Sequence, residues 1–181
     1  MLAKLHSVTL EGIEAIICEV EVDITKMGFE RPVIVGLPDA AVKESSERVR
    51  SAIINSGFSY PKTQTLVNLA PADVKKAGPA FDLPIAVGML AGQGVISSGD
   101  LKDVVIAGEL ALDGRVRGIN GSLSMAIAAK ENGFGRLFVP MENAQEAAVV
   151  EGLEVFGVGS LAQAVGILSG DVPMLMSENQ T

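Results

Sequence analysis

The stretch NLAPADVKKAGPAFDLPIAVGML, residues 68–90, decides how the rest of the chain is read. A β-patterned run, Thr65–Ala70, leads into it. A polar loop carrying Lys75 and Lys76 closes on a Gly78–Pro79 turn. Asp82 then stands where a helix N-cap is expected, with Pro84 tolerated in the first turn. The helix that follows is apolar nearly all round (Leu83, Ile85, Val87, Met89, Leu90), the signature of a helix buried on most sides. A loop between a strand and a helix N-terminus is a common place for chemistry. In this one, reactive side chains are scarce.

Upstream, Leu2–Leu10 alternates with Leu2, Lys4, His6, Val8 and Leu10 on one parity, and Gly12 interrupts the pattern. Ile13–Ile24 resumes it, with Ile16, Cys18, Val20, Val22 and Ile24 on one face and Glu19, Glu21 and Asp23 on the other. The pair predicts an antiparallel hairpin. Pro32–Leu37 reads as a third strand. Asp39 N-caps a helix running to Ser56–Gly57, with Val42, Val49, Ala52 and Ile53 on its apolar face. Downstream, Val104–Leu112 reads as one strand, turning at Asp113–Gly114 into Arg115–Arg117. A small-residue helix starts at Asn120 or Ser122 and ends at Asn132–Gly133. Strand Arg136–Val139, helix Asn143–Val150, strand Glu154–Val158 and helix Ser160–Leu168 follow. Residues 171–181 show no periodicity and are expected to fray. The whole predicts one α/β domain over residues 1–170, two packed layers with a mixed sheet against helices.

Composition bounds the function. The chain has 181 residues, 48% of them apolar but only 4% aromatic, so its core must be built from Val, Ile, Leu and Ala. Apolar runs such as Ile85–Ala91 fall well short of the ~20 residues of a membrane span, so no membrane partner is expected. The single Cys18 cannot close an intrachain disulfide, which fits a reducing cytoplasm. A net charge of −8 argues against a surface built wholly for nucleic acid. The charge is uneven, however. Residues 31–80 hold seven Lys/Arg against four Asp/Glu, and are the sole net-basic segment.

Several chemistries are excluded by motif. There is no G-x-x-x-x-G-K-[ST] phosphate loop and no G-x-G-x-x-G after a strand. One His and one Cys cannot supply H-E-x-x-H or C-x-x-C. A His-based triad would need His6, which lies mid-strand, and Cys18 alternates with core residues as a structural thiol does. Glu19, Glu21 and Asp23 read as a solvated strand face, and no metal site is expected. Lys75 and Lys76 are the first candidates for phosphate or nucleic-acid contact, with Lys43, Arg48, Arg50, Arg115 and Arg117 beside them. Basic residues on separated segments bind DNA only if folding gathers them.

Three motifs carry a resemblance: GLPDAAVKESSERVRSAI at 36–53, VNLAPADVKKAGPAFDLPIAVG at 67–88 and GELALDGRVRGING at 108–121. They resemble the YifB/ComM family of magnesium-chelatase-like AAA+ ATPases, over roughly residues 1–170. The resemblance implies a Lon-protease-like fold, also found at the C-terminus of RadA. It implies as well that residues 171–181 lead toward an ATPase module that this chain lacks, where ATP and Mg would bind, with no cofactor in this chain. It further implies a homo-oligomeric ring, hexameric at full length, acting on DNA in branch migration during natural transformation. Lon-type peptidases place a Ser in a G-P-S-A-G turn and a Lys after G-G-L. In the corresponding positions here stand Ala80 and, within a residue or so, Leu123. Alanine has no oxygen to attack a carbonyl. The implied function is a non-catalytic module for ring assembly and DNA guidance. The alternatives are an oligomerisation or adaptor domain without DNA contact, and a peptidase rearranged around Ser122 or Ser124.

Overall fold

The computed structural model describes residues 1–170; the tail expected over 171–181 lies outside the described residues. β1 (Leu2–Glu11) and β2 (Glu14–Ile24) form the predicted hairpin, in register from Leu2↔Asp23 to Glu11↔Glu14. β3 (Arg31–Val35), α1 (Ala40–Asn55) and β4 (Gln64–Ala70) form a crossover unit, its two strands parallel. β4 lies antiparallel to β2. α2 (Asp82–Gly92) follows the loop, then β5 (Val104–Ile106) and a two-stranded ribbon, β6 (Glu109–Leu110) and β7 (Val116–Arg117). α3 (Ser122–Glu131), β8 (Arg136–Pro140), α4 (Ala144–Ala147), β9 (Glu154–Val158) and α5 (Leu161–Ser169) complete the described chain. The main sheet runs β3-β4-β2-β1-β5-β8-β9, with β1, β5, β8 and β9 mutually parallel.

Of the predicted caps Asp39 holds, and Ser160 caps α5 without having been singled out. The Asp39 carboxylate accepts from the Val42 amide at 2.9 Å, and Ser160 Oγ accepts from the Gln163 amide at 3.1 Å. Asp82 does not cap: it is the first residue of α2, fully buried, and its carboxylate serves other partners.

α1, α2 and α5 cover one face of the sheet in a continuous core with Leu5, Val20, Val22, Leu69 and Phe138. α3 and α4 cover the other face over the parallel half, where Val8, Val105, Leu137 and Val155 meet Met125, Ala126 and Ala147, and α3 extends over the start of β2 at Ala15 and Ile17. The predicted two layers therefore hold toward β3 and β4, and the rest of the sheet gains a partial third. On the open face of the antiparallel half no described helix lies over Leu2, Val35 and Leu66, which are exposed.

This asymmetry decides which residues of β1 are buried. Ala3, Leu5, Ser7 and Thr9 are the residues facing α2, while Leu2 and Lys4 are exposed. Val8 is buried on the opposite face because α3 covers it. The predicted strand Val104–Leu112 also divides. The Ala107 amide still bonds to Phe138, but the Gly108 amide donates to Ala80 O at 2.9 Å and Leu83 N donates to Gly108 O at 2.9 Å. That pair diverts the chain out of the sheet and into the β6–β7 ribbon.

α2 is buried along its whole length, against β1 and β2 on one side and α1 on the other. Its approach to the sheet requires Gly88, where a Cβ would lie 2.6 Å from Val22 Cγ2 and 3.1 Å from Leu5 Cδ2. Gly88→Val is expected to lower the unfolding free energy by about 2 kcal/mol through overpacking, read as a lower urea midpoint at unchanged slope.

Candidate functional site

The loop after β4 is laced to the start of α1. Lys76 N donates to Leu37 O and Asp39 N to Lys76 O, each at 2.9 Å. The second oxygen of Asp39 accepts from the Gly78 amide at 3.1 Å, and Thr9 Oγ1 accepts from the Ala77 amide at 3.3 Å. One carboxylate thus ties the helix start to the Gly78–Pro79 turn. A short 3-10 turn, Pro79–Phe81, carries Ala80 at the mouth of α2.

Beneath Ala80 lies the Asp82 carboxylate, with four donors around it. One oxygen accepts from Ser45 Oγ at 2.5 Å and Arg48 Nη2 at 3.0 Å. The other accepts from Arg48 Nε at 2.6 Å and the Leu110 amide at 3.0 Å. Arg48 Nη2 also reaches Ala41 O at 2.9 Å. The hydrogen bonds to Asp82 hold the Arg48 guanidinium above its ordinary pKa.

Two predicted contact residues are therefore tied into the fold, Arg48 half-buried and Lys76 fully so. Arg48 is committed to Asp82, which corrects its reading as a surface cation. Lys76 is fully buried, and its ammonium donates to Pro71 O. Burial pushes its pKa down, and the neighbouring Cys18 opposes that shift. Cys18 itself is pushed up to about 11, chiefly by burial, so it stays a protonated structural thiol at neutral pH.

The other predicted cations remain on the surface and are not drawn into one cluster. Lys43 and Lys75 are exposed beside the N-terminus of α1 and form no ion pair among the described residues; Arg117, on β7, likewise. Arg50 bonds Glu30 at 2.5 Å and lies over the Tyr60 ring at 5.6 Å. Arg115 bonds Asp113 at 2.9 Å.

Ala80 opens onto a cleft of about 360 Å³, lined by Val8, Leu10, Glu109, Asn120 and Met125 among others. The cleft presents no hydroxyl, thiol or amine nucleophile apart from Thr9, whose Oγ1 is held by the Ala77 amide. Leu123 is exposed in the first turn of α3. The buried Ser122 does not cap α3. Its hydroxyl donates to Glu146 at 2.9 Å, and the same carboxylate accepts from the Leu123 amide at 3.0 Å, so α4 supplies the cap. Ser124 lines a separate depression with Ile13 and Glu131. No set of three or more His, Cys, Asp or Glu that would hold a metal occurs among the described residues, and no described helix is long and apolar enough to cross a membrane.

The sheet and the turn-to-helix junction define an α/β domain of the Lon-protease type, with alanine at the apex of its turn. Over 88% of its length the chain is 28% identical to the DNA repair protein RadA of Escherichia coli, covering 34% of that protein. Over 69% it is 27% identical to the Lon protease of Rhizobium meliloti, covering 16%. Residues 20–143 match the family described as subunit ChlI of Mg-chelatase, and the chain belongs to that family. It is 39% identical to the competence protein ComM of Haemophilus influenzae over 93% of its length, and 41% identical to YifB of Escherichia coli over 83%. The chain spans about a third of these two relatives, 33% and 29%.

Asp82 was missed as a pairing residue because its partner lies 34 positions away; the Ser45–Arg48 spacing on one helix face was the available signal. Arg48→Met is expected to cost about 3 kcal/mol by leaving the buried Asp82 unmatched. Adding Asp82→Asn is expected to recover part of that loss. Urea denaturation of the two variants checks the order.

Proposed function

We propose that this chain is the non-catalytic N-terminal module of a magnesium-chelatase-like AAA+ ATPase of the ComM kind, a cytoplasmic, ring-forming DNA-processing enzyme. ATP and Mg would bind in its ATPase module, and this domain would contribute to ring assembly and DNA guidance. The observation that carries the reading is Ala80, in a turn otherwise fully braced: a peptidase geometry without its nucleophile, in a chain of the ChlI family.

For DNA guidance the usable cations are Lys43, Lys75 and Arg117, with the weakly paired surface residues Arg50 and Arg115 in support. Exposed ion pairs of that kind are readily exchanged for phosphate. Arg48 and Lys76 stay out of this set because each has its partner inside the fold.

Fluorescence anisotropy with single-stranded and branched DNA tests the reading. Binding is expected to fall steeply between 50 and 200 mM salt. The triple change Lys43→Glu, Lys75→Glu, Arg117→Glu is expected to weaken it at least tenfold, while Lys76→Met leaves it unaltered. A stable ring without DNA affinity would overturn DNA guidance and leave an adaptor domain. A fluorophosphonate probe is expected to label neither Ser122 nor Ser124; labelling of either would reinstate a peptidase.

A further inference from the structure

Two apolar surfaces of opposite charge stand at opposite ends of β2. In the loop that follows its last residue, Ile24, Met27 is 80% and Phe29 90% exposed. The loop that bears them is not slack. Thr25 N donates to Gln64 O at 3.0 Å, Thr25 Oγ1 to Met27 O at 2.7 Å and Thr63 Oγ1 to Thr25 O at 2.6 Å. Large apolar side chains held out in water on a fixed loop mark a contact surface, already ordered for its partner. Lys26 and Arg31 flank the pair, exposed and in no ion pair among the described residues. The one acid of the loop, Glu30, is bonded to Arg50 at 2.5 Å.

At the other end of β2, Ile13 is 91% exposed at the tip of the β1–β2 hairpin. It lines an open depression of about 400 Å³ with Ala15 and, from α3, Ile127 and Ala128. Leu123, one turn before Ile127 on α3, is exposed as well. The lining includes two carboxylates, Glu14 and Glu131, and no basic residue. Glu11 stands opposite Glu14 in the hairpin and adds to the acidic rim, while Lys130 lies against Gly152 instead.

The eleven residues of β2 put about 35 Å between the two surfaces, so a chain cannot seat its own loop in its own depression. Pairing either surface with its own copy would bring like charges together: Lys26 and Arg31 in one case, Glu14 and Glu131 in the other. Loop against depression matches apolar with apolar and cation with carboxylate.

We propose that the Met27–Phe29 loop of one copy of this chain seats in the Ile13–Ile127 depression of a second copy, head to tail. Repeated, such a heterologous contact builds a ring where the rotation closes and a filament where it does not. The contact gives a surface to the ring assembly proposed above and rests on that part of the reading; it is independent of DNA.

The test uses the 181-residue chain in sedimentation velocity over a rising concentration series. Self-association is expected, weakening as salt rises. Phe29→Ser and Ile127→Lys are each expected to weaken it at least tenfold. Each variant keeps one intact surface, so an equimolar mix of the two is expected to form dimers and nothing larger. Should Ile127→Lys not fold, a Phe29→Cys chain mixed with an Ile13→Cys chain decides, both positions being in solvent: a disulfide is expected between unlike chains. A chain that stays monomeric would overturn both this contact and a part for the domain in ring assembly. Association that neither substitution touches would overturn this contact alone, as would a mix that stays monomeric or Phe29→Cys chains that link chiefly to one another. Capture of the monomeric chain by vesicles of anionic phospholipid, lost in Phe29→Ser, would overturn it in favour of a membrane surface.

Discussion

The structure depends on a single buried anion. The Asp82 carboxylate is out of contact with solvent, and a charge in that position is tolerated only when it is matched. Standing at the start of α2, it draws its partners from two other elements: Ser45 and Arg48 on α1 and the Leu110 amide on β6. No one of these elements can shift without exposing the charge to an apolar surrounding. The crossing of α1 over α2, the exit of the chain from the main sheet and the shape of the Ala80 turn therefore form one arrangement. Asp39 repeats the device at smaller scale, one oxygen on α1 and the other on Gly78.

A domain braced this heavily around a turn without a nucleophile raises the question of what the bracing is for. The contacts that hold the turn run through backbone groups and through Asp39, Asp82 and Thr9, none of which needs a reactive residue at position 80. The scaffold therefore stands without an attacking group at position 80. Ser122 shows the complementary case: its hydroxyl is drawn into the joint between α3 and α4 by Glu146 and faces away from the chemistry a serine could do. The scaffold and the reactivity are separable, which is why fold likeness alone is weak warrant for activity.

How much was legible from the residues follows from the range of the forces involved. The β1–β2 hairpin, the Asp39 cap and the Asp113–Gly114 turn are set by neighbours a few positions apart, and all could be read from pattern. The face of β1 that is buried could not, because it depends on where α3 comes to rest, more than a hundred residues later. Lys75 and Lys76 look alike as letters, yet one is exposed and the other sealed beside Cys18, a difference set by the backbone bonds to Leu37 and Asp39. Asp82 read as a cap because Asp before an apolar helix usually is one. Its true role needed Arg48, which by itself read as a surface cation. The cleft was legible only as a location; its lining, drawn from β1, the Ala80 turn, the β6–β7 ribbon and α3, is a property of assembled topology.

The uneven covering of the sheet has a dynamic consequence. Strands roofed on both faces must lose two layers of packing before their amides meet solvent, whereas β3 and β4 have one layer and β3 is an edge with Pro32 in it. Amide exchange will therefore be graded along the strand order, slowest in β5 and β8 and fastest toward β3. The Ala80 turn is bonded at one end to Gly108, beside the slow half, and at the other, through the loop, to Leu37, just past β3 in the fast half. It sits at the boundary between two regions of different local stability, so a partner that quiets the β3 side will be felt at the turn without moving the rest of the domain.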